Sequence, residues 1–307
     1  MNLRQLEYLN ALATERHFGR AAEASHVSQP ALSAAIKKLE NELGITLVQR
    51  SQSFDALTAE GEILVGWAQR AIEDVDSLRE EASRLRGELT GTIRLGVIPT
   101  AMSAVALTTE GMLTRHPGIS LEIRALPSAE IVRMLGSHEL DGAITYLYDE
   151  PLGSVQITEL YDERYFVLKT RRGGGRRPTM TWSELEGEPL CLLTPDMQNR
   201  RVIDAALSQA GVTAAPRVQA NDISALMAFA RSGYSCVIAH PWLALHGIPR
   251  GMSAIALNGP EVTHTIGLVT APIEPPPPLV RVLREELAQA HVSLALTNET
   301  SEWLSGS

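Results

Sequence analysis

The chain has little cysteine. Cys191 and Cys236 are the only two in 307 residues. Each lies in an apolar, strand-like run, Pro189-Leu190-Cys191-Leu192-Leu193 and Ser235-Cys236-Val237-Ile238-Ala239. They read as two buried core thiols. A redox switch is the sharper alternative, and no nearby basic residue would activate either thiolate. No apolar run approaches the roughly twenty residues that span a bilayer, which excludes a membrane helix. Met1-Asn2-Leu3-Arg4 leads straight into an amphipathic pattern, so no signal segment is expected and the cytoplasm is the expected location. Positive charge is also in deficit. Lys and Arg number 27 against 36 Asp and Glu, a net charge of −9, which argues against coating nucleic acid through bulk charge. His-Glu-x-x-His, Cys-x-x-Cys and Gly-x-Ser-x-Gly are missing, and no acid/base pair stands out. No enzyme, metal or cofactor is therefore expected. Arg171-Arg172-Gly173-Gly174-Gly175-Arg176-Arg177-Pro178 lacks the strand, helix and Lys-Ser/Thr end of a phosphate loop, and reads as a solvated, mobile basic loop.

What is present centres on Ser28-Gln29-Pro30-Ala31-Leu32-Ser33-Ala34-Ala35-Ile36-Lys37-Lys38-Leu39-Glu40. Ser28 is suited to cap a helix, and Pro30 fits a first turn, where N–H groups have no helical partner. Leu32, Ile36, Leu39 and Leu43 recur at helical spacing and predict a buried face. Gln29, Ser33, Lys37 and Lys38 form the other face, with no carboxylate before Glu40. Such groups suit base edges and phosphates. Phe18–Ala24 predicts a short preceding helix, with the small pair Ala21-Ala22 allowing close approach and Ser25-His26-Val27 as the turn. The pair reads as a helix-turn-helix; an ordinary helical hairpin is the bland alternative. Residues 1–57 carry six basic and six acidic residues, so any DNA affinity must come from placed contacts and from paired heads.

Phe18-x-x-Ala21-Ala22, Val27-Ser28-Gln29-Pro30-Ala31-Leu32-Ser33, Leu39-Glu40-x-x-Leu43-Gly44, Leu47-x-x-Arg50 and Leu57-Thr58-x-x-Gly61 resemble the DNA-binding domain of LysR-type transcriptional regulators. The resemblance covers about the first sixty residues closely and the rest more loosely. It implies an N-terminal all-α winged helix-turn-helix with a long linker helix, then a C-terminal α/β two-lobed domain like a periplasmic binding protein. The wing would span two short strands, 45–50 and 55–57. Family wings usually carry a basic residue near position 53, where this chain has Ser53, and often Arg at position 34, where it has Ala34. The implied DNA contacts are Ser28, Gln29, Pro30, Ser33, Lys37, Arg50 and Ser53.

Residues 58–86 read as one helix. Leu64, Ala68, Ala71, Val75, Leu78, Ala82 and Leu85 alternate spacings of four and three, a narrow heptad seam better suited to a second copy than to the chain's own core. From Gly91 strands and helices alternate, which predicts a mostly parallel α/β fold. The expected domains are 1–58, 59–90 and 91–307. The first lobe is expected over 91–161 and 267–292, and the second over 162–266.

Ligands of open α/β sheets sit at the carboxyl ends of strands. That rule selects Pro99, Thr100, Ala101 and Met102 after one strand, Gln198 after Thr194-Pro195-Asp196-Met197, and Asn221. Ser128, Thr145, Tyr146 and His240 fall at other element ends. Thr100 and Asn221 look like helix caps whose neighbouring N–H groups would hold a small anion. His240 before Pro241 reads equally as a satisfied loop histidine. The segment 193–211, with Gln219-Ala220-Asn221-Asp222, resembles the cyanate-responsive members of the family, and formate-responsive members suit the same logic. The expected function is a sequence-specific transcription regulator modulated by a small-molecule effector. Its expected partners are double-stranded promoter or operator DNA, that effector, and further copies as homodimer or homotetramer, with RNA polymerase as a further candidate. A cytoplasmic solute-binding component would explain the lobes but not the first ninety residues.

Overall fold

The computed structural model describes residues 1–50, 54–148, 151–171, 179–290, 292, 295 and 296. The chain divides into two compact units, Met1–Leu89 and Thr90–Ser307. Among the described residues no helix is long and apolar enough to cross a membrane, and no cluster of His, Cys, Asp and Glu could hold a metal ion.

In the first unit α1 (Leu3–Glu15) starts on a capping box. Asn2 Oδ1 accepts from Gln5 N–H, and Gln5 Oε1 accepts from Asn2 N–H. In α2 (Phe18–Ala24) the cap is an imidazole, His17 Nδ1, which accepts from Gly19 and Arg20 N–H. Then comes α3 (Gln29–Leu43), capped by Ser28. Leu32, Ile36 and Leu39 are fully buried with Leu9, Leu12, Phe18 and Ala21, as the helical spacing predicts. Leu43 departs from that expectation: one turn beyond Leu39 the head no longer covers the helix, and Leu43 is 37% exposed. Strand β1 (Val48–Arg50) pairs antiparallel with β2 (Phe54–Leu57). The first strand is shorter than expected because Glu40 Oε1 accepts from Leu47 and Val48 N–H, tying the approach to α3. The wing tip, Ser53 included, lies outside the described residues.

The long helix α4 (Ala59–Leu85) is capped by Thr58 and carries Glu60 and Glu62 in its first turn, where carboxylates suit the helix dipole. Its start packs on α1, with Gln69 Nε2 donating to Asn10 Oδ1 at 3.0 Å. The expected seam is thereby corrected at its beginning. Ala68 is buried and Leu64 packed within the head's own core, while Ile63 and Trp67 are 66% and 62% exposed. Ala71 and Val75 are half-buried; Leu78, Ala82 and Leu85 are exposed.

The second unit opens with β3 (Gly91–Val97), a 3-10 turn (Met102–Ala104) and α5 (Val105–Arg115), so the helix expected from Ala101 starts as a tighter turn. There follow β4 (Ile119–Ala125), α6 (Ser128–Gly136), β5 (Gly142–Tyr146) and β6 (Gln156–Glu163). The chain then crosses to β7 (Tyr165–Thr170), β8 (Thr179–Thr181), β9 (Leu190–Leu193), α7 (Gln198–Gln209), β10 (Val218–Ala220), α8 (Ile223–Arg231), β11 (Ser235–Ala239), α9 (His240–His246) and β12 (Met252–Asn258). It returns through β13 (His264–Thr270) and ends in α10 (Pro278–Gln289).

Two sheets result, ordered β4-β3-β5-β13-β6 and β10-β9-β11-β7-β12-β8, one per lobe. They are more mixed than expected: β13 runs antiparallel to β5 and β6, and β7 antiparallel to β11 and β12. The crossovers fall at Arg164 and just before His264, because β6 and β13 pair along their whole length within the first lobe. The lobe boundaries therefore lie two to three residues from those expected. In the second lobe Val167, Leu190, Leu192 and Val237 face one core, and Leu168, Cys191, Leu193 and Cys236 face the other. Covering both faces explains why these strands read as unbroken apolar runs.

Candidate nucleic-acid interface and effector site

In the helix-turn-helix His26 turns the chain with φ 53°, and Ser28 Oγ accepts from Ala31 N–H at 3.4 Å. That bond commits Ser28 to starting the helix. Gln29, Pro30 and Lys37 are exposed, and Ser33 is half-buried. Lys38 lies 3.9 Å from Glu42, so its charge is partly answered within the head. Glu40 is turned toward β1, away from the outer face. Gly19 leaves room beside the Gln29 amide oxygen, which would lie 3.7 Å from a Cβ there. Arg50 is placed at the end of β1.

Between the lobes two helix starts meet. Pro127 precedes α6 and Met197 precedes α7, and neither helix has a side-chain cap. The first residues are nonetheless buried: Ser128 is 1% exposed, Gln198 3% and Asn199 5%. Arg201 of α7 reaches across, donating to Ser128 Oγ at 3.4 Å and to Pro195 and Asp196 carbonyls at 3.1 and 2.9 Å. Both polar atoms of the Gln198 amide lack a hydrogen-bond partner among the described residues. Arg200 instead serves its own lobe, bonding Asp204, Gln219 and the Leu193 carbonyl.

Beside these starts lies a buried polar chain. Tyr146 Oη donates to Glu163 Oε2 at 2.8 Å and accepts from Asn199 Nδ2 at 3.2 Å, with Thr100 Oγ1 at 3.3 Å. Burial pushes the Glu163 carboxyl up to about 7, against the pull of the Tyr146, Thr100 and Tyr165 hydroxyls. Burial and then the Glu163 charge push the Tyr146 phenol well above its ordinary range.

Several expected contacts take other roles. Thr100 caps no helix: α5 begins at Val105, and the Thr100 hydroxyl goes to Tyr146. Ala101 is buried beside it, and Pro99 and Met102 are half-buried. Asn221 is exposed and is not the cap of α8. Asp222 is, its carboxylate accepting from Ala225 N–H at 2.9 Å, and that negative charge would repel an anion there. Thr145 is fully buried, but β5 alternates, so it lies on the sheet face opposite Tyr146. His240 is a satisfied structural histidine. Its Nδ1 accepts from Arg164 N–H at 3.2 Å and its N–H donates to the Arg164 carbonyl at 2.8 Å. Burial, then the Arg164 charge, lowers its imidazole to about 4. Asn199, Arg201 and Glu163 were not singled out from sequence. Asn199-Arg200-Arg201 at a helix start was the available signal for two of them; Glu163 had none, since its setting exists only where the lobes meet.

The chain's two thiols lie apart from this site, on neighbouring strands in register, 0% and 1% exposed. Contact with Cys191, then burial, holds the Cys236 thiol well above the ordinary range.

Residues 86–291 match the LysR substrate binding domain, and residues 3–62 match the bacterial regulatory helix-turn-helix proteins of the lysR family. The chain is 31% identical over 278 residues to a hydrogen peroxide-inducible genes activator of Dickeya chrysanthemi, covering 90% of this chain and 91% of that one. It is 30% identical over 293 residues to the DNA-binding transcriptional dual regulator OxyR of Escherichia coli K12, covering 94% of each. A full-length OxyR variant from Pseudomonas aeruginosa superposes with a TM-score of 0.76 at 27% identity, over 96% of this chain and 97% of that one. CbnR complexed with its target DNA shares the fold, with a TM-score of 0.67 at 21% identity over 94% and 100% of the two chains.

Proposed function

Because the chain belongs to the LysR family of bacterial DNA-binding transcription regulators, we propose that a small molecule seated where α6 and α7 start sets how its paired heads engage an operator. It is a regulator and not an enzyme. Gln29 reads base edges from the start of α3, Lys37 grips phosphate, and the exposed stretch of α4 pairs two copies. The work is done in the cytoplasm, where the DNA is.

One observation carries the effector reading: two uncapped, buried helix starts, one from each lobe, joined by Arg201. Each helix start carries a partial positive charge, and Arg201 adds a full one. The unpartnered Gln198 amide supplies both a donor and an acceptor. A small oxyanion or pseudohalide fits this set. A ligand touching both lobes biases their relative arrangement by its differential affinity. The peroxide response named for the relatives is a weaker fit, because thiolates are the usual protein reductants of peroxide and both thiols here are buried in the second lobe.

The test is a thermal-shift panel of small anions, cyanate and formate included, followed by operator footprinting with the best hit. Arg201→Gln and Ser128→Ala are expected to abolish the shift and the footprint change. Retention of both in both variants, or shifts only with large apolar compounds, would reject the site.

A further inference from the structure

Glu163 stands at the hinge. It is the last residue of β6, and its register partner His264 is the first of β13, so it lies where both connections pass between the lobes. It is fully buried, and among the described residues no cation pairs with it. Its Oε2 accepts from Tyr146, whose oxygen accepts in turn from Asn199 of α7. Residues of both lobes thus enclose one carboxyl group, Thr100 and Tyr146 from the first and Asn199 and Tyr165 from the second.

We propose that Glu163 is a proton-binding site coupling pH to lobe closure: the neutral carboxyl holds the closed arrangement, and loss of its proton favours withdrawal of α7. Enclosing an ionised carboxylate without a cation is costly, while enclosing a neutral one is not. Opening lets water reach the group and lowers the cost of its charge. The proton therefore binds the closed form more tightly, and closure must respond to pH by linkage.

Several titratable groups surround Glu163. From β5, Tyr146 faces it; from its own strand, Tyr161; from β7, Tyr165; from β13, His264. The Tyr146 and Tyr161 phenols are pushed well above their ordinary range. Asp162 lies next to it on the opposite strand face, bonded by Thr265, and Arg164 is exposed. From α9, His240 is bonded to the Arg164 backbone and is neutral above about 4. Asn199 and Thr100 carry no charge.

The sign is fixed. A carboxyl whose folded value is raised from 4.5 to about 7 favours the closed fold fully below the lower value, and that contribution is lost as pH rises through the upper one. Between the two values the closing equilibrium falls at most about tenfold per pH unit, and it levels off above the upper one.

The experiment uses the full chain without added anion, so the absence of an effector response leaves its outcome standing. Melting temperature and hydrogen exchange at the start of α7 are followed from about pH 5.5 to about 8.5. Wild type is expected to melt lower and exchange faster as pH rises toward about 7, with little further change above it. Glu163→Gln should hold both near the acid values, and His264→Gln should keep the wild-type profile. Should Glu163→Gln fail to fold, carboxyl 13C NMR on wild type decides. A glutamate titrating near 7 supports the proposal, and all glutamates titrating below about 5.5 overturn it. An unchanged profile in Glu163→Gln, or a flat one in wild type, overturns it as well.

Discussion

At Gly61 a single missing carbon decides how the head closes. A Cβ there would collide with the Leu47 carbonyl, which already accepts from Thr58 N–H as α4 begins. Gly61→Ala must push α4 from the wing and is expected to cost about 1–3 kcal/mol, read as a lower denaturation midpoint of the head. A midpoint within error of wild type would show that the contact yields freely. Gln29 has the opposite character: exposed, at a helix start, beside the space kept by Gly19. Gln29→Ala is expected to lose about 1–3 kcal/mol on the specific site and little on random DNA, because a bidentate amide reads adenine and adds nothing to bulk attraction. Equal losses on both DNAs, measured by competition gel shift, would remove Gln29 from the base readout. Both residues were legible in the sequence, since caps, prolines and helical spacing act within one turn. The physical reason for Gly61 was not, because Leu47 approaches it only after the wing has folded back.

At the scale of the element, α4 shows how a periodic pattern can be right in kind and wrong in register. The alternation from Leu64 to Leu85 correctly signals an apolar stripe on a long helix. Periodicity does not say what covers it. The first turns pack on α1 and bury Ala68, while Ile63 and Trp67, one position earlier, are left outside. Arg70 lies over Trp67, 5.0 Å from its ring centroid, and shields part of it. The exposed stripe therefore lies at Leu78, Ala82 and Leu85, with Leu78 70% and Leu85 74% exposed. Leu78→Glu is expected to leave the monomer's fold intact, since Leu78 is 70% exposed. It should abolish dimers in light scattering, because pairing would have to desolvate the carboxylate. A Leu78→Glu protein that remains dimeric and binds its operator normally would remove α4 as the pairing element. Among the elements that escaped the sequence are a helix and a strand. Helix α9 hides behind the apolar run of β11, although Pro241 in its first turn marks the start. Strand β12 is buried at Met252 and Ile255 with partly covered residues between, which matches neither the helical nor the two-residue period.

At the scale of the whole molecule, local patterns named the lobes but not what meets between them. Asn221 looked like a cap and Asp222 is one; Arg201, not singled out in the sequence, joins the two lobes. The cysteines are the case where relatives and chemistry pull apart. Peroxide oxidation needs an accessible thiolate; burial excludes the oxidant from both thiols and helps to hold Cys236 protonated, while contact with Cys236 lowers the Cys191 thiol. Cys191 and Cys236 are neighbours in register, yet each thiol is enclosed by Leu168, Leu226 and other apolar residues of the second lobe. Peroxide treatment of the native protein is therefore expected to leave both thiols titratable after denaturation, and the operator footprint unchanged. The double variant Cys191→Ala, Cys236→Ala should lose about 1 kcal/mol per small void and keep the wild-type footprint with and without peroxide. If peroxide consumes the thiols of the folded chain and alters the footprint, and the double variant is blind to it, the buried pair is the sensor. The lobe that encloses it must then open far more readily than its packing implies.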